Sequence, residues 1–400
     1  MLKIKSNISL AASVFLLSLA SSNLVAQNQT KFLPLVASDN VNKVFSPTNK
    51  QLQRKEIITP TVSNFRVLKG DVHLHTMFSD GLVWPSYRVD EAWSDGLDFL
   101  AITDHIEYRP FKDYVSGDLN ISYDLAIDRA NELDIELIKG IEITRKQGVL
   151  GHFGALFIKD ANAIKIDDPK ASIMEAVKQG AYIIFNHPAW ALDTCMFTEF
   201  QQKLYEQNII KAVEVVNNHE FYPRALSWSK DLKLTVIGAS DSHEPVIEAY
   251  TQIEDNNLAP RYRAMTLLFV DDSTWEQAMA IKQQAQRSEA RQKLIRQALE
   301  LGNTLAYHNG NIVGREDLLK ELFMASVKIN NVSSTEKNNH YKIDNNSSFP
   351  FYLQIADKEY YINPMSSINI PVSKTANINT IKVLNMQYYE FKNLIIDYKL

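Results

Sequence analysis

Short apolar runs alternate with amphipathic stretches between about Phe65 and Ala325. The apolar runs are rich in β-branched and aromatic residues, whereas the stretches between them carry apolar residues at helical spacing. This alternation is typical of an open parallel sheet or a barrel whose strands are joined by helices. The seven predicted strands are the segment around residues 72–74 and residues 98–102, 135–138, 153–158, 181–185, 212–216 and 234–238. Runs such as Ala181–Phe185 are apolar throughout, as expected for parallel strands buried on both faces.

The helical stretches have recognisable ends. Pro85 begins the first predicted helix and Gly96 ends it. Further helices are predicted near residues 120–133 and 171–180. Asp271–Thr274 provides an N-terminal cap for one long helix that is predicted to end at about Leu301.

The pattern changes after Ser326. Short alternating stretches separated by Asn and Ser turns follow, at residues 328–332, 341–343, 351–355, 360–362, 368–371 and 381–383. They predict a small antiparallel β-sandwich, for which a packing or docking role is favoured. The sequence therefore predicts an α/β domain at residues 65–325 and a small β domain at residues 326–400.

The first 64 residues are interpreted as targeting and linking segments. Lys3 and Lys5 precede the apolar stretch Ile8–Ala20, and small or polar residues lead to a plausible cleavage point at Ala26-Gln27. This order is typical of a secretory signal peptide, because the apolar stretch is too short to span a bilayer. We therefore expect a signal peptide at residues 1–26, a linker or arm at residues 27–64, and a periplasmic or secreted protein.

Charge and cysteine content narrow the function classes. The formal net charge is −5 and no long basic block occurs, so the electrostatic footprint of a nucleic-acid-binding protein is not indicated. Cys195 is the only cysteine, which excludes an intramolecular disulfide, and it lacks an evident catalytic partner. No Gly-x-Ser-x-Gly motif suggests a serine nucleophile, and no membrane span is predicted.

Two histidines mark the first strand as a candidate metal site. Val72 and Leu74 alternate with His73 and His75, so both imidazoles are predicted to lie on one face of the strand. Two such imidazoles can bind one metal ion, and Asp80 in the following Ser-Asp-Gly turn can reach a second. A half-exposed strand with surface histidines gives the same local pattern, so the other strands decide between the two interpretations.

Side chains of the same kind follow the other predicted strands. Active sites of parallel α/β folds lie at the carboxyl ends of the strands. The residues predicted to share that edge are His73, His75, Asp80, His105, Glu142, His187, Asp241 and His243, with His152 in the loop that enters the fourth strand. Six of the nine histidines belong to this set, which unrelated surface or core histidines would not produce.

The motifs form a recognisable series. The chain reads His-x-His-Thr-x-x-Ser-Asp-Gly from His73, Thr-Asp-His up to His105, Asn-His-Pro around His187 and Asp-Ser-His up to His243. This series resembles that of the polymerase and histidinol phosphatase (PHP) family. The resemblance implies a distorted seven-stranded (β/α)7 barrel that holds two or three divalent ions, usually zinc, manganese or iron.

The resemblance also implies a division of the ligands. The implied ligands are His73, His75, Glu142 and Asp241 for a first ion, Asp80, His105 and His243 for a second, and His152 and His187, bridged by Glu142, for a third. Imidazole nitrogens with carboxylate oxygens suit zinc or manganese.

A narrower resemblance concerns the ester. Residues 81–85, 103–110, 142–145, 151–157 and 305–316 are similar to exported PHP phosphodiesterases, a group that includes an enzyme acting on organophosphate diesters. It implies hydrolysis of small-molecule phosphate esters, most readily diesters, by a hydroxide that bridges two metal ions. A phosphomonoesterase of the same fold is one alternative. A non-catalytic, metal-holding surface- or carbohydrate-binding protein is another, from a different class.

Several further side chains are candidates for catalysis or substrate binding. Asp241 is expected to orient the attacking water or receive its proton as well as bind metal. Arg145 is predicted to be a catalytic and substrate-binding residue that contacts phosphate oxygens, with a rim salt bridge as the alternative. Arg109 is a weaker substrate-binding candidate, and a solvated loop arginine is the alternative. Aromatic candidates for a wall around the ester, or for the core, are Trp84, Trp190 and Tyr222.

Overall fold

The computed structural model describes residues 53–146, 148–247, 262–376 and 378–398. The predicted signal peptide and most of the predicted linker lie outside these residues. In the described part the chain has a mixed α/β fold with one large sheet and a further small sheet near the C-terminus. Among the described residues, no helix is both long and apolar enough to cross a membrane.

The strands that carry the predicted motifs belong to the large sheet. They are β1 (Phe65–Asp71), β2 (Phe99–Ile102), β3 (Glu136–Ile143), β4 (Phe153–Leu156), β5 (Tyr182–Phe185), β6 (Ile210–Asn217), the short β7 (Glu220–Phe221) and β8 (Thr235–Ala239). Parallel pairing joins β1 to β2 to β3, and β5 to β6 to β8. Beyond the ends of β1 and β8, a parallel bridge joins Leu74 to Ser242.

Strand β4 runs antiparallel to both of its neighbours, β3 and β5. Its first residue, Phe153, pairs with Ile143 at the end of β3 and with Phe185 at the end of β5. The loop that enters β4 therefore lies at the same edge as the carboxyl ends of the parallel strands. This reversal explains how His152, which precedes a strand, reaches an edge that is otherwise built from residues that follow strands.

The helices connect these strands and cover the sheet. They are α1 (Pro85–Ser94), α2 (Ile121–Leu133), α3 (Ala161–Ile164), α4 (Pro169–Lys178), α5 (Glu199–Glu206), α6 (Pro223–Asp231), α7 (Asp272–Met279), α8 (Gln284–Glu300) and α9 (Glu316–Ser326). The prediction of one long helix from residue 271 to residue 301 is wrong. Gln283 has an extended backbone conformation, with φ −76° and ψ 117°, so the chain turns between α7 and α8.

The large sheet continues through strands that the sequence analysis did not identify between residues 262 and 314. They are β9 (Met265–Asp271), β10 (Thr304–His308) and β11 (Asn311–Gly314), and β9 pairs antiparallel with β1. These strands lie outside the motif series, so their own apolar runs were not separated from the flanking helices.

The C-terminal strands belong to two sheets. Strands β12 (Val327–Ser334), β13 (Asn338–Asn345) and β16 (Ser367–Ser373) form a separate antiparallel sheet. Strands β14 (Phe351–Ile355), β15 (Lys358–Ile362), β17 (Thr380–Tyr389) and β18 (Lys392–Asp397) extend the large sheet, because β17 pairs with β11. The last of them, β18, was not predicted. The predicted domain boundary at residues 325 and 326 falls at the end of α9 and stays a prediction.

A shared apolar core underlies this continuity. Phe323 on α9 meets Phe351 on β14 edge to face, with ring centroids 5.3 Å apart. Tyr307 on β10 lies 5.2 Å from Phe349 by the same measure. All four side chains are almost fully buried in one cluster with residues of β1 and β2. Burial of this kind is the main favourable contribution to folding.

Candidate metal centre

Two chain segments extend side by side beyond the ends of β1 and β8. The Asp241 N–H donates to the His73 carbonyl over 2.8 Å, and the His75 N–H donates to the Ser242 carbonyl over 3.1 Å. Asp241 adopts a left-handed backbone conformation, with φ 49°, which aspartate tolerates better than most residues. These contacts bring both histidines and the carboxylate of Asp241 to one point.

A buried arginine fixes the same two segments. Arg88 on α1 donates from Nε to the His75 carbonyl over 2.8 Å and from Nη2 to the carbonyls of Ser242 and His243 over 2.9 and 2.7 Å. Its Nη1 donates to Glu91 and to the Glu244 carbonyl. The planar guanidinium thus binds four backbone carbonyls of the two segments at once, although the Ser242 and His243 carbonyls also accept the N–H groups of His75 and Leu82.

The first ligand group surrounds the end of β1. The Nε2 atoms of His73 and His75 are 3.1 Å apart, and Oδ1 of Asp241 lies 3.2 and 2.9 Å from them. Oε1 of Glu142 lies 3.3 Å from Nε2 of His73. Ligands of one tetrahedral ion, with bonds of about 2.0–2.1 Å, lie about 3.3 Å from each other. The contacts of His73 Nε2 with His75, Asp241 and Glu142 therefore have the length expected between ligands that share an ion.

The second group lies on the other side of His75. Asp80 approaches Nε2 of His105 to 3.6 Å through Oδ1 and Nε2 of His243 to 3.3 Å through Oδ2. The His75 ring stacks between the two, with centroids 4.4 Å from His105 and 4.3 Å from His243. Asp80, His105 and His243 are the three residues implied for the second ion.

The third group is centred on Glu142. Its Oε1 lies 3.4 Å from Nδ1 of His152 and 3.4 Å from Nε2 of His187. Asn186 donates to the same oxygen over 2.8 Å, and its own amide oxygen accepts the Gly154 N–H over 3.1 Å. The amide thereby ties the Glu142 carboxylate to the antiparallel strand β4.

All nine predicted metal ligands are brought together. By distance alone, their candidate donor atoms fall into four overlapping sets, and within each set all atoms lie within 4.8 Å of one another. These sets share members with the three ligand groups described above but do not coincide with them. The assignment of each side chain to a particular ion stays a prediction.

The chemistry of this cluster fits divalent cations. Three carboxylates and six imidazoles share a largely buried volume, and buried charge is costly unless it is paired or bound to metal. Among the described residues, Oδ1 of Asp80, Nδ1 of His152 and Oδ1 of Asp241 are buried without a hydrogen bond. Each is a metal-binding type of atom aimed into the cluster, and such atoms are rarely left without a partner.

Proton affinities in the cluster reflect the same crowding. Burial lowers the pKa of His73, but Asp241, Glu214 and Glu142 outweigh it and raise the pKa well above its ordinary value. Burial is likewise outweighed at His105, where Glu142 and Asp80 raise the pKa to about 10. His75 differs, because burial and the neighbouring His105 lower its pKa to about 4. Nearby histidines hold the pKa of Asp241 well below its usual range, against the effect of burial.

Glu214 is a site residue that the sequence analysis missed. This fully buried carboxylate on β6 places Oε1 2.7 Å from Nδ1 of His73. Its Oε2 accepts the His187 N–H over 2.8 Å and the Asn217 amide over 2.9 Å. Asn217 also donates to Oδ2 of Asp241 over 3.2 Å. A lone glutamate inside the apolar run Ala212–Val216 was the available signal.

The structure does not place either predicted arginine in contact with these nine side chains. Arg109 donates to the backbone carbonyls of Phe78, Gly117 and Ser116, over 2.7, 3.0 and 2.6 Å. It is buried, and these bonds organise the loop after β2. Its substrate-binding role stays a prediction.

Arg145 forms a salt bridge at the rim, which was the alternative to its predicted role. It pairs with Glu107, and its remaining donors reach the carbonyls of Thr144 and Ile166 over 2.8 and 3.1 Å. The Glu107 carboxylate also accepts the Thr144 N–H over 2.8 Å. The catalytic and substrate-binding roles of Arg145 stay predictions.

The aromatic candidates separate into two kinds. Tyr222 is buried and belongs to the core. Trp84 is half exposed and lies against Phe78, with ring centroids 5.5 Å apart. Trp190 lies directly against two histidines of the cluster, His152 and His187.

Fold and site together define the class of proteins that gather several divalent ions at one edge of a sheet of mainly parallel strands. A family model described as the PHP domain matches residues 71–300, which is more than half of the chain. The chain therefore belongs to the PHP domain family. This confirms the prediction, made from the motifs, of a PHP-type metal-dependent phosphoesterase.

A crystal structure from Bacteroides vulgatus resembles the whole described fold. It is a two-domain protein containing a predicted PHP-like metal-dependent phosphoesterase, 34% identical to this chain with a TM-score of 0.77. The match covers 87% of this chain and 99% of that one. A 5'-3' exoribonuclease from Haemophilus influenzae is 37% identical over 76 residues, which are 19% of this chain and 23% of the exoribonuclease. This chain thus matches less than a quarter of that relative's length.

Proposed function

We propose that the protein hydrolyses small-molecule phosphate esters, and diesters in preference to monoesters, with two or three divalent ions of zinc, manganese or iron. The observation that carries the proposal is the convergence of nine ligand-type side chains in four overlapping sets. Bound divalent ions lower the pKa of coordinated water and neutralise the charge of a phosphate ester. The similarity to a PHP-like metal-dependent phosphoesterase supports the same reaction class.

The surroundings of the centre favour the diester. A phosphate diester carries one negative charge, whereas a monoester carries nearly two at neutral pH. Arg109, which donates to the Phe78 and Ser116 carbonyls, and Arg145, which pairs with Glu107, do not contact the nine ligand-type side chains. The ions are then the main positive charge at the site, which suits the less charged ester.

Asp241 is the residue proposed to handle the proton. Its carboxylate is ionised at neutral pH, because nearby histidines hold its pKa well below the usual range against burial. Oδ1 of Asp241 faces the first ligand group, while the Asn217 amide donates a hydrogen bond to Oδ2 over 3.2 Å. A carboxylate fixed in this way orients an attacking water and receives its proton.

Activity of metal-stripped and reloaded protein tests the proposal. We expect manganese- or zinc-loaded protein to hydrolyse bis-p-nitrophenyl phosphate faster than p-nitrophenyl phosphate, and Asp241→Asn to lose turnover. Faster monoester hydrolysis supports the phosphomonoesterase alternative. Protein that binds metal but hydrolyses neither ester contradicts the enzymatic proposal and supports a non-catalytic metal-holding protein.

The finer architecture and the location belong to the same proposal. Strands β1 to β6 and β8 are proposed to form the distorted seven-stranded barrel, supported by the bridge between Leu74 and Ser242.

Export to the periplasm or medium is proposed from Lys3, Lys5 and the apolar stretch Ile8–Ala20. N-terminal sequencing of protein from the exported fraction is expected to begin at Gln27. An uncleaved N-terminus there contradicts the signal-peptide interpretation.

A further inference from the structure

Two aromatic side chains beside the outer histidines are about half exposed. Trp190 is 47% and Tyr108 57% exposed, although large aromatic side chains gain most from burial. The Trp190 ring centroid lies 5.6 Å from those of both His152 and His187. The Tyr108 ring lies 6.1 Å from that of His105, which in turn is 6.0 Å from His152. Ring contacts therefore run from Tyr108 through two histidines to Trp190.

Backbone hydrogen bonds fix the turn that carries Trp190. The Trp190 N–H donates to the His187 carbonyl over 3.0 Å, so the turn begins at a histidine of the centre itself. The next turn is closed by Leu192 N–H to the Ala189 carbonyl over 2.9 Å, and Met196 N–H reaches the Pro188 carbonyl over 3.1 Å. A surface fixed before ligand arrives costs little ordering on binding.

We propose that Trp190, with Tyr108 beyond the two intervening histidines, binds a flat ring in the organic substituent of a phosphate ester. This inference rests on the proposed function and names its substrate class, an aryl or heteroaryl phosphate ester. Aromatic rings prefer offset-stacked or edge-to-face contact with other π systems, which adds to the gain from buried area. A short alkyl substituent makes no such contact, so the open indole face discriminates between the two kinds of ester.

Two diesters with one leaving group isolate the effect of the ring. Phenyl p-nitrophenyl phosphate and methyl p-nitrophenyl phosphate both release p-nitrophenol and differ only in the retained substituent. For the manganese-loaded protein, Trp190→Ala is expected to lower kcat/KM for the phenyl ester about three- to tenfold, mainly through KM. The methyl ester is expected to change less than about twofold, and Trp190→Phe to restore most of the loss.

A matched control is available in the C-terminal part of the chain. Phe391 lies in the turn between β17 and β18 and is 76% exposed, so Phe391→Ala removes an open aromatic ring elsewhere. This variant is expected to change neither ester. An equal loss of both esters in Trp190→Ala overturns a site for the retained ring, because Trp190 then contacts only the shared p-nitrophenyl group or merely positions the histidines. No loss of either ester overturns it as well.

Binding separates this inference from the proposed function. Calorimetry with the manganese-loaded protein is expected to show tighter binding of phenylphosphonate than of methylphosphonate, and Trp190→Ala is expected to abolish the difference. Equal affinities in the unaltered protein overturn the ring site. A Trp190-dependent preference without hydrolysis of either diester refutes the proposed function and leaves the ring site standing.

Discussion

Glu214 on β6 lies 2.7 Å from Nδ1 of His73, through its Oε1 atom. Because the carboxylate is the acceptor, His73 carries a proton on Nδ1, and Nε2 is the ring nitrogen that lies beside His75 and Asp241 and can bind an ion once it loses its own proton. The other oxygen of Glu214 accepts the His187 N–H. One carboxylate outside the ligand set thus orients the imidazole of His73 in the first group and fixes the main chain of His187 in the third through its backbone N–H.

Removing this carboxylate is expected to weaken metal binding. Partners of this kind fix the orientation and basicity of a ligating histidine, and their loss typically costs about 10–100-fold in metal affinity. We expect Glu214→Ala to lower metal affinity by an amount in that range. Glu214→Gln is expected to lower it less, since the amide oxygen still accepts a hydrogen bond from His73. Competition with a chelator of known affinity measures the change.

The control for Glu214 is an exposed glutamate at the end of α5. Glu206→Gln removes a comparable charge from a solvent-exposed position and is expected to leave metal affinity unchanged. A Glu214→Ala protein that folds normally and keeps full metal affinity contradicts the orienting role.

Arg88 is expected to stabilise the loops that carry the centre. Its Nε donates to the His75 carbonyl, and its Nη1 pairs with the largely buried carboxylate of Glu91. A buried acceptor left without a partner costs about 1–3 kcal/mol, and breaking a buried ion pair costs more. We expect Arg88→Ala to lower the free energy of unfolding of the metal-free protein by about 3 kcal/mol or more. Arg88→Lys is expected to recover only part of this, because an ammonium lacks the planar set of donors. Urea unfolding measures both changes.

Arg129 provides the comparison. It pairs with Asp90 and Glu132 on the surface, where its side chain is 31% exposed. Exposed ion pairs contribute at most about 1 kcal/mol, so Arg129→Ala is expected to have a small effect. Equal destabilisation by Arg88→Ala and Arg129→Ala would argue against the anchoring role of Arg88.

The contrast between Glu214 and the predicted ligands shows how far sequence alone reaches. His73, His105 and Asp241 end apolar runs with polar side chains, and that break in pattern made them visible. Glu214 stands inside such a run, where an isolated polar residue is equally consistent with an outward-facing position. Its role depends on β6 lying beside the segment that follows β1, a tertiary relationship that no local pattern encodes.

Direction and connection were harder to predict than strand position. The antiparallel course of β4 has no local signature, because an apolar run reads alike in either direction. The break between α7 and α8 occurs without glycine or proline at residues 280–283, so the sequence contains no strong stop signal there. Arg145 lies on the expected loop, but the competing carboxylate of Glu107 comes from the loop after a different strand.

Phe351 tests whether the C-terminal strands unfold together with the rest of the chain. The side chain is fully buried against Phe323, and truncating a buried phenylalanine costs about 3–5 kcal/mol. Because β17 pairs with β11 and the apolar core is shared, we expect Phe351→Ala to shift one cooperative thermal transition. Phe391→Ala, at an exposed position, is expected to change stability by less than about 0.5 kcal/mol. Two separate transitions, of which only one moves, would support an independent domain at residues 326–400.

The metal-free protein is expected to lose stability as the pH rises from 7 to 10. Glu142 and Asp80 outweigh burial and raise the pKa of His105 to about 10, above the value of about 6.5 for an unfolded histidine. A raised pKa contributes stability that is complete below about pH 6.5 and is lost as the pH passes through 10. Histidines must be neutral to bind metal, so metal binding is expected to release protons and to strengthen with rising pH.

Two measurements check these opposite effects of pH on the stability of the metal-free protein and on metal binding. Thermal unfolding is measured from pH 6 to 10, with and without manganese. The Tm of the metal-free protein is expected to fall as the pH rises, and the increase in Tm caused by manganese is expected to grow. Calorimetric titration in two buffers of different ionisation enthalpy reports the released protons directly. His105→Gln removes the group with the raised pKa, so its metal-free form is expected to lose less stability over the same pH range. A metal-free Tm that does not fall between pH 7 and 10, or metal binding without proton release, would show that the histidines are already neutral before the ion binds.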